Sequence, residues 1–339
     1  SAPVISRMNL QQCSENFLPM PPVKEVSPSF CEASSLIKNP EYVGFVRHRT
    51  CVTGRRHRKT GQSATDRRQK MQIGNKIFDT EHHTAVMAIL NVTPDSFSDG
   101  GKYQSVDLAL KQAERMIEEG AAILDIGGES TRPGHKKITD QEEIERVVPV
   151  IEAIKKNFDI AVSLDTYKYE VSKAGIAAGA DMINDIWGLK WDERLAPLLA
   201  KEDVACCLMH NRDNQEYTNF IEDFCSDMEE TLAIAKKAGI RDERIILDPG
   251  VGFGKTFEQN LSIMKHMDVF SKWGLPVLLG TSRKSVIGLA LNLPVDQREE
   301  GTAATTVLGR MKGASIFRVH DVKTNYRELK MIEAILEAE

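Results

Sequence analysis

Apolar and polar positions divide the chain into two regimes. From about Thr84 onward, short apolar runs alternate with amphipathic segments: "AVMAILN", "AILDIGG", "IAVSLD", "DMIND", "VACCLMH", "RIILDPG", "PVLLGTS" and "SIFRVH", eight in all. Between and after them stand segments with helical spacing, from "SVDLALKQAERMIEEG" and "DQEEIERVVPVIEAIKKN" through "YEVSKAGIAAG", "ERLAPLLAKE", "FIEDFCSDMEETLAIAKKAG", "FEQNLSIMKHM" and "EEGTAATTVLGRMKG" to "DVKTNYRELKMIEAILEAE". Continuous apolar strands joined by helical crossovers predict an α/β fold with a parallel sheet covered by helices. Eight repeats predict its closure into an eight-stranded parallel β/α (TIM-type) barrel over residues 71–339. An open, doubly wound sheet is the alternative architecture. From Ser1 to about Lys70 no periodicity lasts beyond a few residues, and "PMPPVKEVSPSF" and "RHRTCVTGRRHRKTGQSATDRRQK" predict a disordered extension over residues 1–70.

Charge sharpens that boundary. Residues 1–70 hold 12 Lys/Arg against 5 Asp/Glu, and residues 71–339 hold 32 against 44, so the net charge of −5 joins a basic extension to an acidic barrel. The basic run could contact nucleic acid or direct the chain to an organelle. Without interleaved aromatics, and with acids interrupting its first half, a solvated tail is favoured and a nucleic-acid partner is not expected. Runs such as "VACCLM" fall well short of the roughly 20 apolar residues of a bilayer span, which predicts a soluble, cytoplasmic protein without a membrane partner. The six cysteines show no CxxC spacing. Cys206 and Cys207, neighbours in one strand, should point to opposite faces and pack in the core rather than share a metal.

The strand ends carry the chemistry. At or just past the C-terminal end of the runs stand Asn91, Asp125, Asp165, Asn184 with Asp185, His210, Asp248, Thr281 and His320. Any one of these, taken singly, is best read as a cap or turn former, but eight together mark the face of a barrel where active sites are built. The first two mouth loops are long: "NVTPDSFSDGG" from Asn91, and "GGESTRPGHKK" with Arg132, Lys136 and Lys137. Arg283, Lys284, Arg318 and His320 on the last two strands favour an anionic group, as phosphate often binds there in barrels. "DPGVGFGKT" ends like a P-loop, yet Pro249 stands where that motif needs its first glycine, which argues against a nucleotide triphosphatase.

These segments, "ILNVTPDSFSDGG", "DIGGESTRPG", "SLDTYK", "INDIWG", "LMHNR", "LDPGVGFGKT", "GTSRKSVIG" and "FRVHD", occur in the order and spacing of bacterial dihydropteroate synthase. The chain from about Met71 resembles that pterin-binding β/α-barrel family. The resemblance implies condensation of 6-hydroxymethyl-7,8-dihydropterin pyrophosphate with p-aminobenzoate, giving 7,8-dihydropteroate and pyrophosphate in folate biosynthesis. It implies a dissociative course assisted by Mg²⁺, inhibition by sulfonamides, and a homodimer.

By the same resemblance, Asp165, Asn184, Asp248 and Lys284 would bind the pterin, with Met209 and Phe253 flanking its ring; core packing is an equally good account of Met209. Phe97, Thr131, Pro133, Phe253, Lys284 and Ser285 would form the p-aminobenzoate pocket. Asn91, Thr131, Arg132, Arg318 and His320 would meet the pyrophosphate, with Asn91 the protein's ligand to Mg²⁺. Asn91, Asp95, Arg318, His320 and Lys284 would be the catalytic set, Asp95 stabilising the developing cation or the closed loop. His320 could instead be structural and Asn91 a turn residue. Two other functions are alternatives: methyl transfer from methyltetrahydrofolate to a corrinoid protein, which has no need of the cations of "SRKS" and "FRVH", and a binding arm made by the basic extension.

Overall fold

The computed structural model describes residues 70–92, 102–129 and 137–338. The expected extension over residues 1–70 lies outside these except for Lys70, which is the first residue of a strand.

The eight apolar runs form eight parallel strands: β3 (Ala85–Asn91), β4 (Ile123–Gly127), β5 (Ala161–Asp165), β6 (Met182–Asp185), β7 (Ala205–Met209), β8 (Ile245–Asp248), β9 (Leu278–Leu279) and β10 (Ile316–Val319). Their order is β8-β7-β6-β5-β4-β3-β10-β9. A parallel bridge from Leu247 to Val277, just before β9, joins the two ends. The barrel is closed, so the open-sheet alternative falls. The predicted helices are present as α1 (Lys102–Glu118), α2 (Asp140–Asn157), α3 (Tyr169–Ala177), α4 (Leu195–Glu202), α5 (Phe220–Ala238), α6 (Phe257–Lys265), α8 (Glu299–Met311) and α9 (Val322–Leu336). One further helix, α7 (Ser285–Leu291), begins inside "GTSRKSVIG" and is not among the helices that the apolar pattern predicted. No helix among the described residues is long and apolar enough to cross a membrane.

Alternation along the strands sorts the side chains into two apolar layers. The outward positions, among them Val86, Ala88, Leu90, Leu124, Ile126, Val162, Leu164, Cys206, Leu208 and Leu247, pack beneath the helices. The inward positions Met87, Ile123, Ala161, Met182, Ala205, Cys207, Ile246, Leu278 and Ile316 fill the N-terminal half of the barrel. Cys206 and Cys207 thus lie on opposite faces, as their adjacency requires.

An antiparallel hairpin that the apolar pattern did not reveal closes the barrel's N-terminal end: β1 (Lys70–Ile73) and β2 (Lys76–Asp79). Met71 and Ile73 are fully buried against the inward layer. Gly74 turns the hairpin at φ 57°, where a Cβ would also collide with the Asp181 carboxylate. Arg244, itself paired with Asp203, donates to the carbonyl of Gln72 at 3.0 Å. With this end plugged by apolar side chains, access is left to the opposite, C-terminal end.

Candidate active site

Toward that end the inward positions change character. Above the apolar layer they become Asn91 on β3, Asp125 and Gly127 on β4, Ser163 and Asp165 on β5, Asn184 on β6, Met209 on β7, Asp248 on β8 and Arg318 on β10. Gly127 keeps this level open, since a Cβ there would stand 3.3 Å from Asn91 Oδ1 and 3.8 Å from Asp165 Cβ.

Arg318 organises the polar ring. Its Nε donates to Asp125 Oδ2 and its Nη2 to Asp165 Oδ2, each at 2.6 Å, and Asn184 Nδ2 donates to Asp125 Oδ2 at 3.2 Å. Burial works against the guanidinium, yet Asp125 and Asp165 hold its pKa above the usual range. The other oxygens, Asp125 Oδ1 and Asp165 Oδ1, are buried and take no hydrogen bond from any described residue. Burial pushes the Asp165 carboxyl up to about 7, Arg318 opposing the rise and Asp125 adding to it. Asp248 is also raised by burial, against the pull of Lys284; its Oδ1 accepts from Gly250 N at 2.7 Å. A buried carboxylate oxygen without a donor costs free energy, about 1–3 kcal/mol. The ring is therefore prepared for a ligand that presents N–H groups.

Cations and an aromatic ring border this acceptor cluster. Lys284 Nζ lies 4.8 Å from the Phe253 ring centroid and donates to the carbonyl of Val251 at 2.6 Å. Burial pushes its amine down to about 8, with Asp248 pulling upward. Lys284 follows Arg283, whose φ of 57° is unusual for a residue with a side chain. Arg298 and Thr302 hold that turn by bonds to the Arg283 carbonyl and amide at 3.0 and 3.2 Å. Arg283 itself pairs with Glu299, outside the ring. The His320 ring shares a 3.0 Å hydrogen bond with the Ser282 hydroxyl.

The site residues expected from the sequence are thus partly assembled. Asp165, Asn184, Asp248, Met209, Arg318 and Asn91 share the inward face of the barrel. Lys284 and Phe253 meet at its rim, Ser285 opens α7 beside Lys284, and His320 follows β10. Met209 is buried two residues above Cys207 and joins neither apolar layer. Asp95, Phe97, Thr131, Arg132 and Pro133 lie outside the described residues.

Sequence reasoning assigned no role to Asp125, although it stands among the strand ends; its parity with inward Ile123 was the available signal. In "GFGKT", Thr256 caps α6 by accepting from Gln259 N at 3.3 Å. The Lys255 amine is buried among carbonyl oxygens, so neither residue is disposed as in a P-loop.

A family model described as pterin binding enzyme matches residues 87–320. A dihydropteroate synthase from Clostridium beijerinckii is 58% identical over 267 residues, 78% of this chain and 99% of that protein. Among solved structures, dihydropteroate synthase from Clostridium difficile in the presence of pteroic acid aligns with a TM-score of 0.75 at 46% identity, covering 77% of this chain and all of that one. Yersinia pestis dihydropteroate synthase in a sulfonamide drug complex aligns at 0.73 and 40%, covering 80% and 100%. The chain belongs to the dihydropteroate synthase family of pterin-binding enzymes.

Proposed function

We propose that this chain condenses 6-hydroxymethyl-7,8-dihydropterin pyrophosphate with p-aminobenzoate, releasing 7,8-dihydropteroate and pyrophosphate in folate biosynthesis. The observation that carries this reading is the buried acceptor ring at the barrel mouth, where Asp125 and Asp165 each keep an oxygen that no described residue supplies with a donor. The ring amide and amine of a pterin supply such donors, and Asp165, Asn184 and Asp248 would take them while Met209 and Phe253 cover the ring faces. An analogue lacking those donors leaves the carboxylates unpaired and is rejected.

Bond cleavage between the exocyclic methylene and the pyrophosphate oxygen sends the electron pair to the leaving group. The electron-rich pterin delocalises the cation that remains. The amine nitrogen of p-aminobenzoate then bonds to the methylene carbon and loses a proton. The protein's main task is to hold charge at the leaving group. Arg318 spends one N–H on each of Asp125 and Asp165, which leaves three of its five donors for phosphate oxygens, with His320 beside them. Lys284, Ser285 and Phe253, with Phe97, Thr131 and Pro133, would form the amine's pocket, where sulfonamides compete. Thr131 and Arg132 would add contacts to the pyrophosphate, and Asp95 would stabilise the developing cation or the closed first loop.

Mg²⁺ fits this site in a limited sense. No cluster of three or more His, Cys, Asp or Glu among the described residues could hold a metal. Asn91 nevertheless turns an amide oxygen toward Gly127 at the open rim, and Mg²⁺ commonly completes its shell with water and substrate phosphates. Bound there, the ion would neutralise charge on the departing pyrophosphate. Exposed Leu289, Leu291, Leu308, Met311 and Met331 on the last three helices support a homodimer, and the folate reaction supports a cytoplasmic setting.

The test is pyrophosphate release from the dihydropterin pyrophosphate, with Mg²⁺, in the presence and absence of p-aminobenzoate. Amine-stimulated release, with dihydropteroate appearing in step and both stopped by chelation, is the expected result. A folded protein that forms neither product overturns the assignment.

A further inference from the structure

Behind the acceptor ring lies a second buried polar cluster that the reaction does not call on directly. Lys255 is 4% exposed, and its Nζ lies 2.8 Å from His210 Nδ1, 3.0 Å from the carbonyl of Gly250 and 2.9 Å from that of Phe253, with the His210 carbonyl further off at 3.3 Å. His210 Nε2 lies 2.9 Å from Asp227 Oδ2, which also accepts from Arg212 Nε at 2.6 Å. Burial pushes the Lys255 amine down to about 7, Asp248 opposing. The three near acceptors match the three protons of an ammonium, whereas the neutral amine supplies only two. Nδ1 then accepts, the imidazole proton sits on Nε2, and Asp227 receives it. Burial, which pushes His210 down to about 4, keeps that ring neutral.

What this chain of bonds grips is the 249–254 turn. Gly250 presses on the strand end so closely that a Cβ would collide with the His210 carbonyl, and one at Gly254 would stand 2.7 Å from Arg212 N. Lys255 takes the carbonyls at two points of the turn. Between them, Val251 O receives the Lys284 amine, and Gly252 N donates to Asn260 Oδ1 at 2.6 Å. The same turn carries Phe253, under that amine.

We propose that Lys255, oriented by Asp227 through His210, is a positioning residue for the pterin site, fixing the 249–254 turn so that Phe253 and the Lys284 amine keep their places at the mouth. This rests on the synthase reading, because it assumes that a pterin meets those two groups. Without Lys255 the carbonyls of Gly250 and Phe253 lose a buried donor, the turn relaxes, and Lys284 loses the fixed carbonyl that aims it. A purely structural role would lower stability and leave the ligand's affinity unchanged.

The experiment titrates the full chain with 6-hydroxymethylpterin by calorimetry, beside thermal melting and hydrogen–deuterium exchange of peptides spanning the turn. The variants are Lys255→Met, His210→Leu and His210→Asn, the last restoring an acceptor near the place of Nδ1. Lys255→Met is expected to bind at least about tenfold more weakly, with faster exchange confined to the turn. His210→Leu should follow it, while His210→Asn stays within about threefold of wild type. A folded Lys255→Met protein with wild-type affinity and exchange overturns the role. So does equal behaviour of the two His210 variants, a comparison that decides the matter even if Lys255→Met fails to fold. A wild-type chain that binds no pterin overturns the synthase reading and this inference together, whereas wild-type binding matched by every variant overturns this inference alone.

Discussion

Asp165→Asn separates the acceptor ring's ligand chemistry from its structural role. Asp165 Oδ2 holds Arg318 at 2.6 Å, and an asparagine oxygen can keep that contact. The atom replacing Oδ1 then becomes an N–H, so a position proposed to offer an acceptor to the pterin would offer a donor to a donor. Losing a hydrogen bond to a charged group costs about 1.5–3 kcal/mol, or roughly a 10- to 150-fold rise in Kd for 6-hydroxymethylpterin measured by calorimetry.

Proton linkage supplies a second, independent reading. The Asp165 carboxyl is raised from its ordinary 3.8 to about 7, chiefly by burial. The folded chain therefore binds this proton more tightly than the unfolded chain. The resulting stability is fully present below about pH 4 and is lost as pH rises through about 7. A pterin donor needs the ionised carboxylate, so wild-type affinity should climb by up to about tenfold per pH unit below 7 and level off above it. The variant should lose the Asp165 component: its affinity should climb less steeply than wild type's below pH 7, the remaining slope belonging to Asp248, which burial also raises, and its melting temperature should fall less than wild type's between pH 4 and 7. A folded Asp165→Asn protein within about threefold of wild-type affinity, or one whose pH profile parallels wild type's, would refute the assignment of Asp165 to the pterin.

Arg318→Ala should lower turnover through poorer leaving-group stabilisation; unchanged kcat in a pyrophosphate-release assay would remove it from the chemistry. Because the substitution also leaves Asp125 and Asp165 without their cation, unfolding in urea should show a loss of about 3–5 kcal/mol, or less if one carboxyl protonates. Phe97→Ala should weaken p-aminobenzoate and sulfonamide binding while sparing 6-hydroxymethylpterin, and a selective loss of the pterin would contradict its place in the amine pocket. Deleting residues 1–69 should leave melting temperature and turnover unchanged. Extending the deletion through Asp79 uncovers Met87, Ile123 and Met182 and should cost several kcal/mol, on the scale of about 2–5 for each large buried side chain removed; equal melting curves for the two truncations would show that the hairpin is no plug.

The barrel was legible because each strand is a near-continuous apolar run, and the candidate site because the same runs end in polar residues. What escaped depended on relations that spacing does not encode. The hairpin strands are four residues long and mix lysine with apolar positions, so Met71 and Ile73 look unexceptional until they meet the barrel floor. Asp125 reads as one more turn former, and only inward parity with Ile123, together with Arg318 arriving 193 residues later, makes it the partner of the site's central cation. Lys255 resembles a P-loop lysine because glycines surround it in sequence, yet the groups that define it, His210 and the carbonyls beneath the turn, are assembled by β7 ending against the loop after β8. The residues a ligand would touch therefore announce themselves at strand ends, while those that hold them in place are set by packing between distant segments. Substitutions at that second level are where function can be lost with every expected site residue still present.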